Sequence, residues 1–170
     1  MIIIIVVGYQ GIGKSTLCNN KNISFKFIDL ESSTFRGKNG IRPDDWYVYY
    51  VNVAIDLSKQ NNIVFVSSHK EVRDLLKDTT ESVVMVFPSL SLKDEWVNKL
   101  ENRYKVTNSD KDYRAWKNAL QCYEENINDL KSCGLPYIEI DSMNYSLEQL
   151  VINYEIGLIS KKMKADNSEG

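Results

Sequence analysis

The sequence has little of what holds small secreted or metal-built domains together. Three cysteines, Cys18, Cys122 and Cys133, stand in 170 residues. Their odd number and the lack of a CxxC pair exclude a disulfide scaffold and suit reduced, packed thiols. The expected setting is therefore cytoplasmic. A single histidine, His69, gives no basis for a histidine-built metal cluster. Charge of one sign is lacking too: 21 basic against 23 acidic residues leave a net charge of −2. No broad basic face is expected, and hence no long nucleic acid as partner, although a local cationic site stays open. The longest early apolar run, residues 2–7, falls far short of the roughly 20 residues of a membrane helix. No basic segment precedes it and a glycine loop follows, so neither a membrane partner nor a signal peptide is expected. Glycine is sparse as well, with only 8 in the chain. Yet Gly8, Gly11 and Gly13 fall within six positions of one another.

What is present describes a globular domain. Hydrophobic residues make up 43% and aromatics 11%, enough for one core that buries roughly 70% of the unfolded surface. Residues 2–7 read as a strand buried on both faces, and residues 14–20 as a helix. Residues 24–29 alternate like a second strand that ends in acid. Residues 31–43 form an irregular cationic loop, with room for a short helix. Asp44 or Asp45 then caps a helix with Trp46, Tyr50, Val53 and Leu57 on one face. Residues 63–66 are a third strand. Ser68 and Glu71 have capping-box spacing for a helix running to about Asp78. Residues 83–87 are a fourth buried strand, stopped by Pro88. Two helices follow, one with Leu92, Trp96, Leu100 and Tyr104 on a shared face. The other carries an aromatic packing stripe of Tyr113, Trp116, Leu120, Tyr123, Ile127 and Leu130, and Gly134 and Pro136 end it. Residues 137–140 are a fifth strand and residues 146–159 a last helix. A single domain over residues 1–160 with a frayed polar tail at 161–170 is the expected organisation. Strands alternating with helices imply a parallel sheet with right-handed crossovers. The helical pair near residues 90–133 interrupts the alternation where a mobile lid could sit.

Gly8-Tyr9-Gln10-Gly11-Ile12-Gly13-Lys14-Ser15 is G-x-x-x-x-G-K-S, the Walker A phosphate loop, here between a buried strand and a helix. Phosphate oxygens need backbone N–H donors at close range, and glycine supplies both the dihedrals and the clearance. Gly11 stands at a position the pattern leaves free and adds backbone clearance. The expected nucleotide-binding residues are Gly8, Gly11, Ile12, Gly13, Lys14, Ser15 and Thr16. Lys14 would reach the β- and γ-phosphates, and Ser15 would ligate Mg²⁺. The chain has no D-x-x-G, and Asn98-Lys99-Leu100-Glu101 lies inside a helix, so a GTPase is not indicated. The strand at residues 63–66 runs into Ser67-Ser68 with no acid, which disfavours a hydrolytic ATPase.

With that motif and layout, the chain resembles the small P-loop kinases: the adenylate-kinase-like nucleoside monophosphate kinases, with shikimate and gluconate kinases nearby. It also looks like the small, divergent nucleotide kinases of phages, and its asparagine-rich composition suits an AT-rich genome. The resemblance implies a three-layer α/β/α P-loop fold with a five-stranded parallel sheet and a helical lid insertion. It implies ATP and Mg²⁺ as cofactors and a small-molecule nucleotide acceptor as partner. Asp29-Leu30-Glu31 stands where shikimate-type kinases place D-x-D, so Asp29 becomes a catalytic and metal-binding candidate and Glu31 an acceptor-binding one. Ser68-His69-Lys70, with Arg73 a turn later, stands where monophosphate kinases hold the acceptor phosphate with arginine. Arg103 is the leading lid candidate for the transferring phosphate, with Arg114 second.

Arg36 and Arg42, in the cationic loop with Lys38, suit an acceptor anion because a guanidinium binds phosphate bidentately. Trp46 could stack on a base, although its helical stripe also suits the core. The expected function is transfer of a phosphoryl group from ATP to a nucleoside or deoxynucleoside monophosphate. A nucleoside or polynucleotide 5′-hydroxyl kinase and a non-enzymatic ATP-binding switch are the alternatives, and the oligomeric state stays open between monomer and homodimer.

Overall fold

A computed structural model describes residues 4–20, 26–79 and 81–168. The starts of the first two expected strands, at residues 2–3 and 24–25, lie outside the described residues. Branched apolar side chains build the sheet centre: β1 (Ile4–Gly8), β3 (Ile63–Ser67) and β4 (Ser82–Pro88). Of their hydrophobic side chains, Ile5, Val6, Val64, Phe65 and Val84 to Phe87 are fully buried, as central parallel strands covered on both faces require. The shorter β2 (Phe27–Asp29) and β5 (Tyr137–Ile140) close the edges. The order is β2-β3-β1-β4-β5, with all neighbours parallel. The fifth strand is thus an edge rather than the buried strand expected, and its Tyr137 is 45% exposed.

The helices are α1 (Lys14–Cys18), α2 (Trp46–Ser58), α3 (Lys70–Lys77), α4 (Lys93–Thr107), α5 (Asp110–Ser132) and α6 (Leu147–Ser168). In this order, right-handed crossovers put α1 on one face of the sheet and α2, α3 and α5 on the other. The packing of α1 with α6 and of α2 with α3 agrees. The last helix continues to Ser168, and its residues 160–168 are all exposed. No described helix is long and apolar enough to cross a membrane.

Three local expectations change. First, α2 buries Trp46, Tyr50, Val51 and Ala54, while Val53 is 38% exposed. The Tyr50 hydroxyl sets this rotation: it donates to the Leu30 carbonyl at 2.6 Å and accepts from the Ser67 N–H at 2.8 Å. Second, no capping box forms at α3. His69 holds the cap position without a side-chain cap bond, and Asp45 does the same for α2. Third, the first half of the α5 stripe is displaced by a residue. Asp112, Ala115 and Ala119 turn inward, Tyr113 and Leu120 are exposed, and the helix kinks at Cys122 (φ −130°, ψ 18°). The alanines let α5 approach the phosphate loop, where Gln10 Nε2 donates to the Ala115 carbonyl at 3.1 Å. Trp116 instead stacks on Tyr104 of α4, 5.7 Å between ring centres.

Candidate functional site

The carboxyl ends of β1, β2 and β3 open into one cavity of about 690 Å³. β1 and β3 are neighbours whose connections leave in opposite directions, and open α/β sheets bind ligands at such a switch point. The loop from Gly8 to Ser15 forms its floor. A Cβ on Gly8 would come within 2.7 Å of Ile12 Cδ1 and 2.9 Å of Lys14 Cδ, so these side chains would have to shift to admit one. Gly13 caps α1 with φ 103°, a left-handed conformation that favours glycine. Gly11 needs its glycine for a different reason: at φ 88° a Cβ would meet Leu100 Cδ2 at 2.9 Å and Trp96 Nε1 at 3.1 Å. The clearance at Gly11 therefore serves the packing of α4 on the loop's outer side.

Of the expected nucleotide-binding residues, Gly11, Gly13, Lys14, Ser15 and Thr16 line the cavity. Gly8 and Ile12 are buried in its floor. Burial lowers the Lys14 ammonium from its ordinary range, against the pull of Asp29 and Glu31. Ser15 Oγ donates to Asp29 Oδ2 at 3.1 Å, so the strand-end carboxylate and the motif hydroxyl share one spot. That pair offers hard oxygen donors, the kind Mg²⁺ takes one or two at a time alongside phosphate oxygens and water. No group of three or more His, Cys, Asp or Glu side chains among the described residues could hold a metal without such help. Burial and the nearby Asp29 charge push the Cys18 thiol up to about 12, which suits the packed, unreactive thiol expected.

The cavity also collects cations from outside the loop. Arg36, Arg42, Arg103, Lys111 and Arg114 line it, with Glu31 and Asp112 as acids. Arg36 donates to the Gly40 carbonyl at 2.9 Å and braces its own loop. Arg42 lies over the Trp46 ring, 4.2 Å from its centroid. Burial, then Arg36 and Arg114, push its guanidinium below the ordinary range, so these cations are close together without full compensation. Trp46 does not itself line the cavity. It is 8% exposed, in line with the core reading of its stripe rather than with base stacking, and the Arg42 guanidinium lies over its ring, so it orients Arg42.

His69 is the residue that composition alone undervalued. Its Nε2 lies 3.4 Å from Arg42 Nη2 and its Nδ1 2.7 Å from Ser67 Oγ. Arginine can only donate, so Nε2 accepts and the proton sits on Nδ1. Burial and the Arg42 charge lower the imidazole from its ordinary value, keeping it neutral. Arg73, by contrast, is 5% exposed and paired with Asp129 at 2.6 Å, so it lies outside this cavity.

The junction of α4 and α5 overhangs the site. Arg103 Nε lies 2.9 Å from Asp112 Oδ1. Burial opposes ionisation of Asp112, but a Thr107 hydrogen bond and the Arg103 charge hold it below the usual carboxylate range. Lys111 Nζ meets Glu31 Oε1 at 2.6 Å, tying the overhang to the loop after β2. Lys111, Asp112 and Asn118 were missed from sequence. The one signal for Lys111 and Asp112 was an acidic and basic first turn, which looks like any solvated helix start, and Asn118, further along the helix, carried none. The base of the pair is anchored, with Trp96 0% and Leu100 1% exposed.

No family model matches the chain, and no curated protein matches it in sequence. In structure it is similar to the shikimate kinase from Bacteroides thetaiotaomicron. The TM-score is 0.51 at 15% identity, over 96% of this chain and 98% of that one. At that identity the likeness concerns the fold. With the five-stranded parallel sheet and its strand order, it gives the chain a three-layer α/β/α P-loop fold.

Proposed function

We propose that the protein transfers a phosphoryl group from ATP to a small anionic acceptor, with a nucleoside monophosphate as first choice. The observation that carries this is a single cavity lined both by the glycine phosphate loop and by Arg36, Arg42 and Arg114. Phosphoryl transfer asks a protein mainly for positioning and charge stabilisation. Lys14 and the loop N–H groups hold the donor, and Ser15 with Asp29 would hold Mg²⁺, which when bound would supply positive charge to the phosphates. Arg42, backed by Trp46 and His69, grips the acceptor anion. Arg103, paired with Asp112 and lining the same cavity, balances charge that develops during transfer. Glu31 is already paired with Lys111, so it aligns the overhang and acts on the acceptor only when that pair opens.

ADP production with each of the four ribo- and four deoxyribonucleoside monophosphates tests the reading, and turnover with one of them is expected. A second reading, a hydroxyl acceptor carrying a carboxylate, draws on the shikimate kinase likeness and on Asp29 beside Ser15. Shikimate belongs in the same panel. Tight ATP binding with no transfer to any acceptor would overturn both readings and leave a nucleotide-binding switch.

A further inference from the structure

Two carbonyls of the phosphate loop are held by side chains from outside the motif. Trp96 Nε1, in α4, donates to the Gln10 carbonyl at 2.9 Å. The Tyr145 hydroxyl, in the loop between β5 and α6, donates to the Ile12 carbonyl at 2.8 Å. The two rings stack on each other, 6.0 Å between centres. Lys99 joins them: its Nζ donates to the Tyr145 hydroxyl at 3.0 Å and sits 4.4 Å from the Trp96 ring centroid. Neither ring lines the cavity, whereas Gly11 and Gly13 do.

Peptide geometry connects these facts. No described peptide bond is cis, so each carbonyl points opposite to the N–H of the next residue. A carbonyl of Gln10 held outward by Trp96 turns the Gly11 N–H inward, and a carbonyl of Ile12 held by Tyr145 does the same for the Gly13 N–H. Among the described residues neither N–H has a hydrogen-bond partner. Gly11 and Gly13 have φ of 88° and 103°, conformations accessible to glycine but not fixed by it. Glycine permits these peptide orientations and would permit others. We infer that Trp96 and Tyr145 are positioning residues that lock two phosphate-loop peptides with their N–H groups aimed at a polyphosphate. The donated Lys99 hydrogen bond polarises the phenol and makes it a better donor to Ile12. Burial and the neighbouring Arg103 lower the Lys99 ammonium from its ordinary range, so the site disfavours the charge, and the Tyr145 hydrogen bond and the two ring faces work against that.

The inference rests on the phosphate-binding reading of the loop, and the test separates the two. Inorganic tripolyphosphate is titrated calorimetrically into the wild-type chain, Tyr145→Phe and Lys99→Met, with circular dichroism to check folding. Tyr145→Phe removes only the hydroxyl and keeps the ring. The wild type is expected to bind, and Tyr145→Phe to bind about threefold to tenfold more weakly, the worth of one hydrogen bond. Lys99→Met should show a smaller loss. In the transfer assay Tyr145→Phe should raise KM for ATP and leave KM for the acceptor unchanged, a split that loosened packing would not give. Wild-type binding with equal affinity in a folded Tyr145→Phe overturns the inference alone. So does an equal rise in both KM values. Failure of the wild type to bind tripolyphosphate overturns the phosphate reading and the inference together.

Discussion

The two ends of the cavity are built differently. The phosphate loop is gripped on several sides: by Trp96 and Tyr145 on its carbonyls, by α5 through Gln10, and by Leu100 packed beneath Gly11. The acceptor end is carried by residues 31–45, where Arg36 and Gly40 are exposed and Arg36 holds only a local carbonyl. Positioning gains most where the ligand is constant, and every nucleoside triphosphate presents the same phosphate chain. An acceptor varies in shape, and a loop of guanidiniums on a looser frame can adjust to it. On the proposed reading, the donor side is the more tightly held of the two before any ligand binds.

The sharpest break of the comparison is Lys14→Ala. Loss of a cation aimed at the transferring group should lower the transfer rate by at least about 10²–10³-fold. Thermal stability should not fall, because burial already disfavours the charged ammonium. Transfer at the wild-type rate would remove the donor half from the reaction. Arg42→Ala should act on the other half: a charge-assisted contact of about 1.5–3 kcal/mol corresponds to a rise of about 10- to 100-fold in acceptor KM, with KM for ATP unchanged. An effect on ATP instead would merge the two halves. Arg103→Ala should lower kcat by about tenfold, having been assigned a role during transfer. A change confined to KM would end that assignment.

Two glycines sharpen the contrast in stability. Gly11 and Gly40 both have positive φ, 88° and 76°, but a Cβ on Gly40 meets nothing within 4 Å. Alanine at either site carries about 1–2 kcal/mol of left-handed strain. At Gly11 the clash with Leu100 and Trp96 adds about 1–3 kcal/mol. Urea unfolding should therefore show Gly11→Ala as the less stable of the two. Equal losses would mean that the donor loop is no more tightly packed than the acceptor loop.

The same contrast governs what could be read from the sequence. The motif from Gly8 to Ser15 is legible because its chemistry is local: consecutive N–H groups need glycine at fixed positions. The strands are legible because continuous branched runs have few other uses. Asp29 could be placed beside Ser15 because a strand end carries its own address. The role of Trp46 could not be read, because one helical stripe looks the same whether its ring faces a base or an arginine. Lys111 against Glu31 and Tyr145 against Ile12 join residues 80 and 133 positions apart. No local pattern encodes pairs at that distance. The α5 stripe misled by one residue because alanines, which look neutral in a hydrophobic pattern, were the contact face.

The smallest expected effect concerns His69 at the acceptor end. Its imidazole is lowered from 6.5 by burial and by Arg42, and it faces Arg42, Ser67 and Trp46. In the unfolded chain it takes up a proton near its ordinary value, while in the folded protein it resists. The unfolded state then binds more protons, so this contribution to stability is lost as pH falls through that value. Titrating carboxylates contribute to the same acid limb, and His69→Gln removes only the histidine part. The thermal midpoint of the wild type should thus fall further than that of His69→Gln between about pH 7.5 and 5.5. Parallel midpoints would mean that the imidazole accepts a proton freely. Arg42 would then have lost a hydrogen-bond acceptor, and the acceptor end would be looser still.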